Sequence, residues 1–505
     1  MTHPRRLDSQ FSTRAWAGLL SAVLHLGLVL LILLSGGRRD GISDDDTPVT
    51  RIVYMDSVAA TPREGIESIL RNLAVPRPMP PDQPDLRDIE PPMLSPAEFD
   101  SPRDDPEDSP PADVEAPGET SSIESPTSYL MPQAQASALL QRVERLAEAL
   151  VKAPRARSAW QQDGMQYDAE LVLQPATDGV EPDRVIAQVS AEDQGRQLRT
   201  RIMLKRLPFS HYAQLIDRWD PAVQLHDDEI VGRMHINSRF NLLHDSQARP
   251  TFLGRVTTAA GGFNMRSEGG SPKSEVFREG IVTRAGRISL SGQRNSFEQA
   301  RHDANVRLHE LADDTAITFF PDGGYAGRDR KSGSSLFSEQ PTGQSVYFVA
   351  ARGATVYVQG VVSGRYLVYA PQRIVVEGNL VYANDPRHDP DSDDYLGLVS
   401  DRDIVVASPR VTGPGDLHIH AALFAKHRVI VTDIDHSDSA TLEIFGSLAA
   451  GSLTASEPRY ATKIEYDWRF ERRRPPGFPS TDRFAAEDWD GRWSEAADGS
   501  EFASF

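Results

Sequence analysis

An acid-rich stretch, NDPRHDPDSDDY (384–395), is the part of the chain whose residue types best match a metal site. Four of its carboxylates place hard oxygen ligands at close spacing: Asp389, Asp391, Asp393 and Asp394. Such oxygens suit calcium, but the EF-hand pattern fails, because no glycine occupies loop position 6 and Ser400 stands where the bidentate glutamate belongs. The four aspartates are therefore candidate calcium ligands, and the alternative is a solvated insertion between two strands.

Three other motifs match chemical sites less well. In HELAD (309–313), Asp313 replaces the second histidine of the H-E-x-x-H zinc motif, so we expect a solvated helix over residues 296–314. In GGYAGRDRKS (323–332), Arg330 stands where a phosphate loop needs glycine, which favours a β-turn. His418 and His420 share one strand face and form half of a metal site, without an identifiable partner ligand.

The spacing of these residues argues against catalysis. The chain contains no G-x-S-x-G elbow and no G-x-G-x-x-G loop. Glycan cleavage needs a carboxylate pair, or a base together with calcium, spread along a groove, whereas these aspartates are bunched on one loop. We predict that the protein is not an enzyme and has no cofactor, with a periplasmic polysaccharide-active enzyme as an alternative.

A histidine lies at the centre of an apolar run that is long enough to span a membrane. Residues 15–34 contain no Asp, Glu, Lys or Arg, and a helix of this length crosses a hydrocarbon core of about 30 Å. His25 is near its midpoint and Ser21 is one helical turn earlier, on the same face. A polar group at this depth usually faces a protein partner. We therefore predict that Ser21 and His25 bind a membrane helix of a partner.

The composition of the chain limits the classes of partner and covalent modification, and the apolar run indicates how the chain is placed in the membrane. The net charge is −19, which argues against nucleic acid as a partner. The chain has no cysteine, so disulfides, thiolate metal sites and lipoprotein attachment are excluded. The apolar run is longer than the core of a cleaved signal peptide, which favours an uncleaved anchor with residues 1–14 in the cytoplasm.

The segment after the anchor has the composition of a disordered spacer. Between Pro76 and Pro132 lie fifteen of the 36 prolines, and residues 82–124 hold fourteen acidic side chains against two arginines. Such a stretch cannot bury enough apolar surface to order itself, so residues 36–132 are predicted to be an extended acidic linker.

The remainder is predicted to be mainly β. Apolar residues at helical spacing predict a helix over 133–154, and three alternating runs with a short helix at FSHYAQLIDRW complete a small α+β unit (133–224). Many short β-branched runs follow, and two of them, VYVQG (356–360) and IVVEG (374–378), align at an offset of 18. Repeats of this kind predict a parallel β-helix, or β-solenoid, over 225–470, with a sandwich as the alternative and residues 471–505 as an acidic tail.

The N-terminal 60 residues resemble TonB-type energy transducers. The resemblance rests on Ser21-x-x-x-His25 in a single span, followed by TRIVYMD and a proline-rich spacer. It implies that the Ser/His face meets a proton-driven motor like ExbB/ExbD. The chain departs from that family because it lacks a recognisable C-terminal TonB domain.

Residues 166–480 are similar to uncharacterised bacterial proteins associated with type IV pilus assembly. The similarity rests on EIVGRMHINSRF, IVVEGNLVYAN, YLGLVSDRDIVVA, IFGSLAAG and PPGFP, in this order. It implies a β-helical domain after a membrane anchor and envelope or pilus-like components as partners. We therefore predict a non-enzymatic envelope scaffold in the bacterial inner membrane, single-pass, with most of the chain in the periplasm. A TonB-like energy transducer component is an alternative.

Overall fold

The computed structural model describes residues 128–495, except for positions 152, 177–178, 247, 268–272, 291–299, 341–342 and 436–438. This part of the chain is mainly β, as predicted. Within it, no helix is long and apolar enough to cross a membrane. The predicted cytoplasmic tail, membrane span and most of the linker lie outside the described residues, and so do Ser21 and His25.

A helix packed on an antiparallel sheet forms the first unit. Helix α1 (Gln133–Ala147) continues as a 3-10 turn (Glu148–Val151). The strands that follow are β2 (Arg155–Gln162), β3 (Met165–Gln174), β4 (Arg184–Asp193) and β5 (Arg196–Pro208), after a short β1 (Ser128–Leu130). Alternate residues of β3, β4 and β5 are buried in one core with the apolar face of α1. The apolar residues repeat every second position in the strands and every 3.6 positions in the helix.

The predicted acidic tail supplies strands to this sheet. Strands β28 (Ser480–Ala486) and β29 (Arg492–Glu495) both pair with β5. Strand β29 also pairs with β1, which lies inside the predicted linker. The seven strands run β1-β29-β5-β4-β3-β2, with β28 beside β5. Phe484 and Trp493 are 5% and 3% exposed. The structure thus differs from the predicted tail, because apolar residues among the acidic ones bury this segment.

A larger sheet contains twenty of the other described strands. Its N-terminal strands are β6 (Gln214–Ile216), β7 (Glu229–Val231), β8 (Met234–Ile236), β10 (Thr251–Phe252), β11 (Val256–Thr258) and β13 (Ile281–Thr283). Its later strands are β14 (Val306–Leu311), β15 (Thr315–Phe319), β16 (Tyr325–Asp329), β17 (Ser335–Glu339), β18 (Ser345–Ala350), β19 (Thr355–Val362), β20 (Arg365–Ala370), β21 (Arg373–Tyr382), β22 (Tyr395–Ser400), β23 (Asp403–Val406), β24 (Leu417–Ala425), β25 (Arg428–Val431), β26 (Ala440–Ala450) and β27 (Tyr460–Tyr466). Two strands form a separate pair, β9 (Asn241–His244) with β12 (Asn264–Ser267), and two short helices lie between strands, α2 (Lys273–Val276) and α3 (Pro409–Thr412).

Most strands of the large sheet pair in parallel and form three columns, which together we call the parallel stack. The first column is β15, β19, β21, β23 and β25. The second column is the C-terminal parts of β19 and β21, then β24, β26, β27, β7 and β10. The third column is β14, β18, β20, β22, the C-terminal parts of β24 and β26, then β6, β8, β11 and β13.

The observed register follows the sequence repeat. Val356 lies opposite Ile374 and Val358 opposite Val376, which is the offset of 18 read from the sequence. Beyond this point a bulge shifts the pairing, and Gly360 lies opposite Leu380. From β18 to β24, each strand therefore pairs with a strand of the preceding turn and a strand of the following turn, and the inward side chains stack on one another.

The order of strands in the stack differs from their order in the chain. The last long strands, β26 and β27, pair with β6 and β7, the first strands of the sheet. Residues 214–283 therefore continue the stack from residue 466 onwards, and the chain begins its winding in the middle of the stack. The parallel stack starts at Gln214, whereas the sequence placed its start at 225.

Glycine permits two of the corners. Gly360 has φ +121° and Gly446 has φ +141°. A Cβ on Gly360 would lie 2.1 Å from the carbonyl oxygen of Phe319, and one on Gly446 would lie 2.2 Å from that of Ala421. Both positions therefore need glycine for its backbone conformation and for the close approach of the neighbouring turn.

Two predicted helices are wrong. Within 296–314, residues Val306–Leu311 form β14, because Val306 and Leu308 alternate and pair in parallel with β18. In FSHYAQLIDRW, only Phe209–His211 forms a 3-10 turn, and Gln214–Ile216 is a strand buried on both faces. A short buried strand of this kind has no period that separates it from a helix.

The outer side of the third column is covered rather than exposed. Ile288, Leu290, Phe470 and Phe478 pack there against outward side chains such as Leu367. Because this column is buried on both sides, its strands read as continuous apolar runs, and every residue of β22 is buried.

Candidate functional site

The structure does not gather the predicted calcium ligands. The buried Asp394 carboxylate accepts hydrogen bonds from the backbone N–H groups of Gly364 and Asn384, at 2.6 and 2.8 Å. Asp393 lies instead beside two arginines, with Arg365 at 3.6 Å and Arg473 at 3.7 Å. Asp389 accepts a hydrogen bond from the N–H of Asp391, and both side chains are exposed. The loop carboxylates thus point to different partners, and Asp394 acts as a cap for two turns of backbone.

A different carboxylate in this loop, the buried Asp385, is part of a partly buried charge cluster around Arg387. The Arg387 guanidinium donates to Asp385 at 2.7 Å, to Glu443 at 2.9 Å and to Glu465 at 3.3 Å. Asp385 is on the same loop, whereas Glu443 belongs to β26 and Glu465 to β27. One side chain therefore ties the acid-rich loop to two further turns of the stack, which we call the Arg387 cluster.

The two histidines of the HIH motif join this cluster. His418 lies 3.2 Å from Glu443, and a hydrogen bond from His418, followed by one from Arg387, lowers the pKa of Glu443 to about 2. His420 is buried, accepts a hydrogen bond from the N–H of Tyr382 at 3.1 Å and has its pKa lowered to about 3 by burial. The pair is thus part of the packing between turns, with Nδ1 of His418 and both ring nitrogens of His420 in contact with protein partners.

The buried Arg469, in the 3-10 turn that follows β27, links this part of the chain to the acid-rich loop. Arg469 donates to the carbonyl oxygen of Ser392 at 2.9 Å and to Asp467 at 2.6 Å. Its guanidinium lies 4.3 Å from the ring centre of Tyr395 and 5.1 Å from that of Tyr382. Sequence reasoning missed Arg469 and Arg387, because an arginine in a charged segment carries no local signal of burial.

The feature with the shape of a binding site is a cavity inside the parallel stack. It encloses about 230 Å³ and lies where β26 and β27 meet β6, at the junction between the late and early segments of the chain. Aliphatic side chains from all three columns line it: Ile404, Val406, Ile419, Leu423, Val429, Val431, Leu442, Ile444, Leu448 and Ile464. Trp219 also contributes to the wall. Small apolar ligands bind in spaces of this kind.

The mouth of the cavity is polar and acidic. The lining reaches the surface at residues 222–228 and 453–457, where Ala222 and Gln224 are exposed. The His226 ring pairs with Glu457, and the backbone N–H of His226 donates to the carboxylate of the buried Asp228 at 3.1 Å. Ligand atoms of His226, Asp227 and Glu457 lie within 4.8 Å of one another, the one set of three His or acidic groups with this geometry among the described residues.

Burial alters the acidity of this mouth. It raises the pKa of Asp228 to about 6. It also raises the pKa of Glu457 to about 7, against the opposing effect of His226. Two carboxyl groups thus titrate near neutral pH beside an apolar space, an arrangement that is common at functional sites.

Two polar atoms in the cavity wall lack a hydrogen-bond partner. They are Oε1 of Gln214, a residue that is 3% exposed, and Oε1 of Glu457. Both are oxygen acceptors. A buried acceptor without a donor costs free energy, so a bound group that donates hydrogen bonds would be stabilised here. No local pattern in the sequence indicates this site, because its residues come from the first and the last strands of the stack along the chain.

Comparisons with known proteins assign no family. No family model matches the chain, and no curated protein matches it. Among solved structures, the competence-associated pilin ComZ from Thermus thermophilus is similar over 72% of this chain and 95% of its own, at 12% sequence identity and a TM-score of 0.29. A likeness at this TM-score carries no argument about fold or function.

Proposed function

We propose that this protein is a non-enzymatic scaffold and binding protein of the bacterial envelope, built on a β-solenoid. The observation that carries the proposal is the Arg387 cluster, in which charged side chains of the acid-rich loop hold turns of the stack together. The three parallel columns support the solenoid, because most of their strands pair with a strand of the preceding turn and a strand of the following turn.

The same observation argues against glycan cleavage by the carboxylates of the acid-rich loop and the Arg387 cluster. General acid catalysis needs a carboxyl group with a raised pKa, and nucleophilic catalysis needs a second carboxylate facing it across a groove. Arg387 lowers the pKa of Asp385 despite its burial, and Glu443 has a pKa of about 2. Asp394 is occupied by backbone donors. These groups serve the packing of the stack.

The anchor completes the proposal. Residues 15–35 hold the chain in the inner membrane, residues 36–132 act as a spacer, and the β-rich part lies in the periplasm. Ser21 and His25 bind a partner helix, since one Ser–His contact within the helix leaves a ring nitrogen that needs a second chain. A motor like ExbB/ExbD is the partner that the TonB-type resemblance favours, and pilus-like components are the periplasmic partners.

Cross-linking in cells tests the anchor. We expect His25→Leu to insert normally but to lose cross-links to its membrane partner, whereas the matched control Leu28→Ala should keep them. Full cross-linking of His25→Leu would exclude docking through this face. A second arm incubates the full chain with acidic polysaccharides, and we expect no cleavage. Turnover that disappears on Asp391→Ala or Asp393→Ala would overturn the non-enzymatic assignment.

A further inference from the structure

The cavity inside the stack has a size and a wall that suit an aliphatic chain. Its volume is about 230 Å³. An engineered apolar cavity of about 150 Å³ binds benzene, so in proportion this space holds about nine non-hydrogen atoms. Ten of its lining side chains are Ile, Val or Leu from the three columns, and only Trp219 adds an aromatic ring. The deep part of the cavity therefore offers dispersion contacts and no polar recognition, apart from Gln214.

The polar atoms of the cavity determine which head group fits. Oε1 of Gln214 and Oε1 of Glu457 both lack a donor, so the occupant must donate hydrogen bonds rather than accept them. Asp227, Asp228 and Glu457 bring three carboxyl groups to the mouth, and His226 is the one basic group among the described residues that line the cavity. Negative charge at the mouth disfavours a carboxylate or phosphate head and favours a cation.

We propose that this cavity binds a small aliphatic ammonium ion, with the alkyl chain among the aliphatic side chains of the stack and the ammonium group at the Glu457 mouth. An ammonium head has three N–H donors, which suits the Glu457 oxygen that lacks a donor and the carboxyl groups beside it. This ligand site goes beyond the scaffold function and does not depend on it.

A divalent metal ion at the same mouth is the competing occupant. His226, Asp227 and Glu457 offer three ligand atoms, but an ion held there would leave the aliphatic space below it empty. The cavity wall therefore favours a ligand with a chain.

Equilibrium dialysis of the full chain in lipid nanodiscs tests the proposal, with radiolabelled alkylammonium ions from ethyl to decyl as probes. We expect one saturable site, with affinity rising about fourfold for each methylene and levelling off near eight carbons. Octanoate, with the same chain and the opposite charge, should bind at least tenfold more weakly. Equal binding of octanoate, or affinity that rises without a limit of length, would overturn the proposal.

Variants locate the site. Ile444→Trp fills the space and should abolish saturable binding, while Glu457→Gln keeps the shape, removes the charge and should weaken octylammonium about tenfold. Glu310→Gln, an exposed carboxylate elsewhere, is the matched control and should bind as the native chain does. Melting curves establish that each variant is folded. If Ile444→Trp does not fold, the binding of Glu457→Gln and the chain-length series test the proposal without it. Saturable Zn²⁺ binding without octylammonium binding would replace this proposal with a metal site.

Discussion

Replacement of Arg387 by methionine should destabilise the whole parallel stack. Methionine keeps much of the side-chain volume but removes the positive charge that faces Asp385, Glu443 and Glu465. The Asp385 side chain is only 1% exposed, so its charge would remain buried without compensation. Removal of one partner from a buried ion pair costs about 3–5 kcal/mol. Since Arg387 is itself partly exposed, we expect the lower end, about 3 kcal/mol.

This free energy corresponds to a measurable change in melting temperature. A folded unit of roughly 370 residues has an unfolding entropy of about 0.8 kcal/mol/K, so a loss of about 3 kcal/mol lowers the melting temperature by roughly 4 °C. Calorimetry of the full chain in detergent gives both quantities. The matched control is Arg157→Met, which breaks an exposed pair with Glu170 and should cost less than about 1 kcal/mol.

A double variant separates the charge from the packing. If the cost comes from the uncompensated carboxylate, Arg387→Met combined with Asp385→Asn should recover about half of the lost stability. If Arg387→Met has the same melting temperature as Arg157→Met, the Arg387 cluster does not hold the turns together. The scaffold proposal would then lose the observation that supports it.

Four further outcomes follow from the structure. Gly446→Ala should cost more than about 3 kcal/mol, because its Cβ meets the carbonyl of the preceding turn, whereas Gly413→Ala, with open space around it, should cost about 1 kcal/mol in chemical denaturation. Trp493→Ala should cost about 3–5 kcal/mol because Trp493 is buried in the first unit, and the half-exposed Trp468→Ala should cost far less; equal losses in a denaturant titration would show that β29 is not part of that core. Stability should fall as the pH drops below about 6.5, because burial lowers the pKa of three histidines that stay neutral in the fold and take up protons on unfolding. Each histidine contributes a loss of up to about 1.4 kcal/mol per pH unit. Denaturant titrations from pH 7 to 4 measure this slope, and a flat profile would contradict the prediction. These histidines are His211, His235 and His420. Millimolar calcium should leave the melting temperature of both the native chain and Asp391→Asn unchanged, and a calcium-dependent rise lost in the variant would restore the loop as a metal site.

Local sequence patterns predicted the features that depend on period. The spacing of Leu139, Val143 and Ala147 predicted the buried face of α1, and the offset of 18 between two β runs predicted their register. Such predictions are reliable because the spacing of apolar residues determines directly which side chains lie on the same face of a helix or strand.

Features that depend on distant residues could not be predicted in this way. Nothing near Gln214 or Glu457 in the sequence indicates that they share a cavity, since 243 positions separate them. Nothing near Trp493 indicates that β29 pairs with β5, almost 300 positions earlier. The partners of the acid-rich loop could not be predicted for a related reason: Asp393 lies beside Arg365 and Asp394 accepts from the backbone of Gly364, and both partners come from an earlier turn.

The position at which the chain enters the parallel stack has a mechanical consequence. A stack that starts at one end unwinds turn by turn when its end is pulled, because each turn is held only by its neighbour. Here the chain enters the stack at β6, which pairs with β26, and leaves it at β27, which pairs with β7, so both points lie in the middle of the stack. Tension applied to the chain from the N-terminal side of β1 would load the sheet of α1 and β5 and then this central junction in shear, where many hydrogen bonds must break at once. The outermost strands lie away from that junction, so such a load would not open the stack by peeling it from one end.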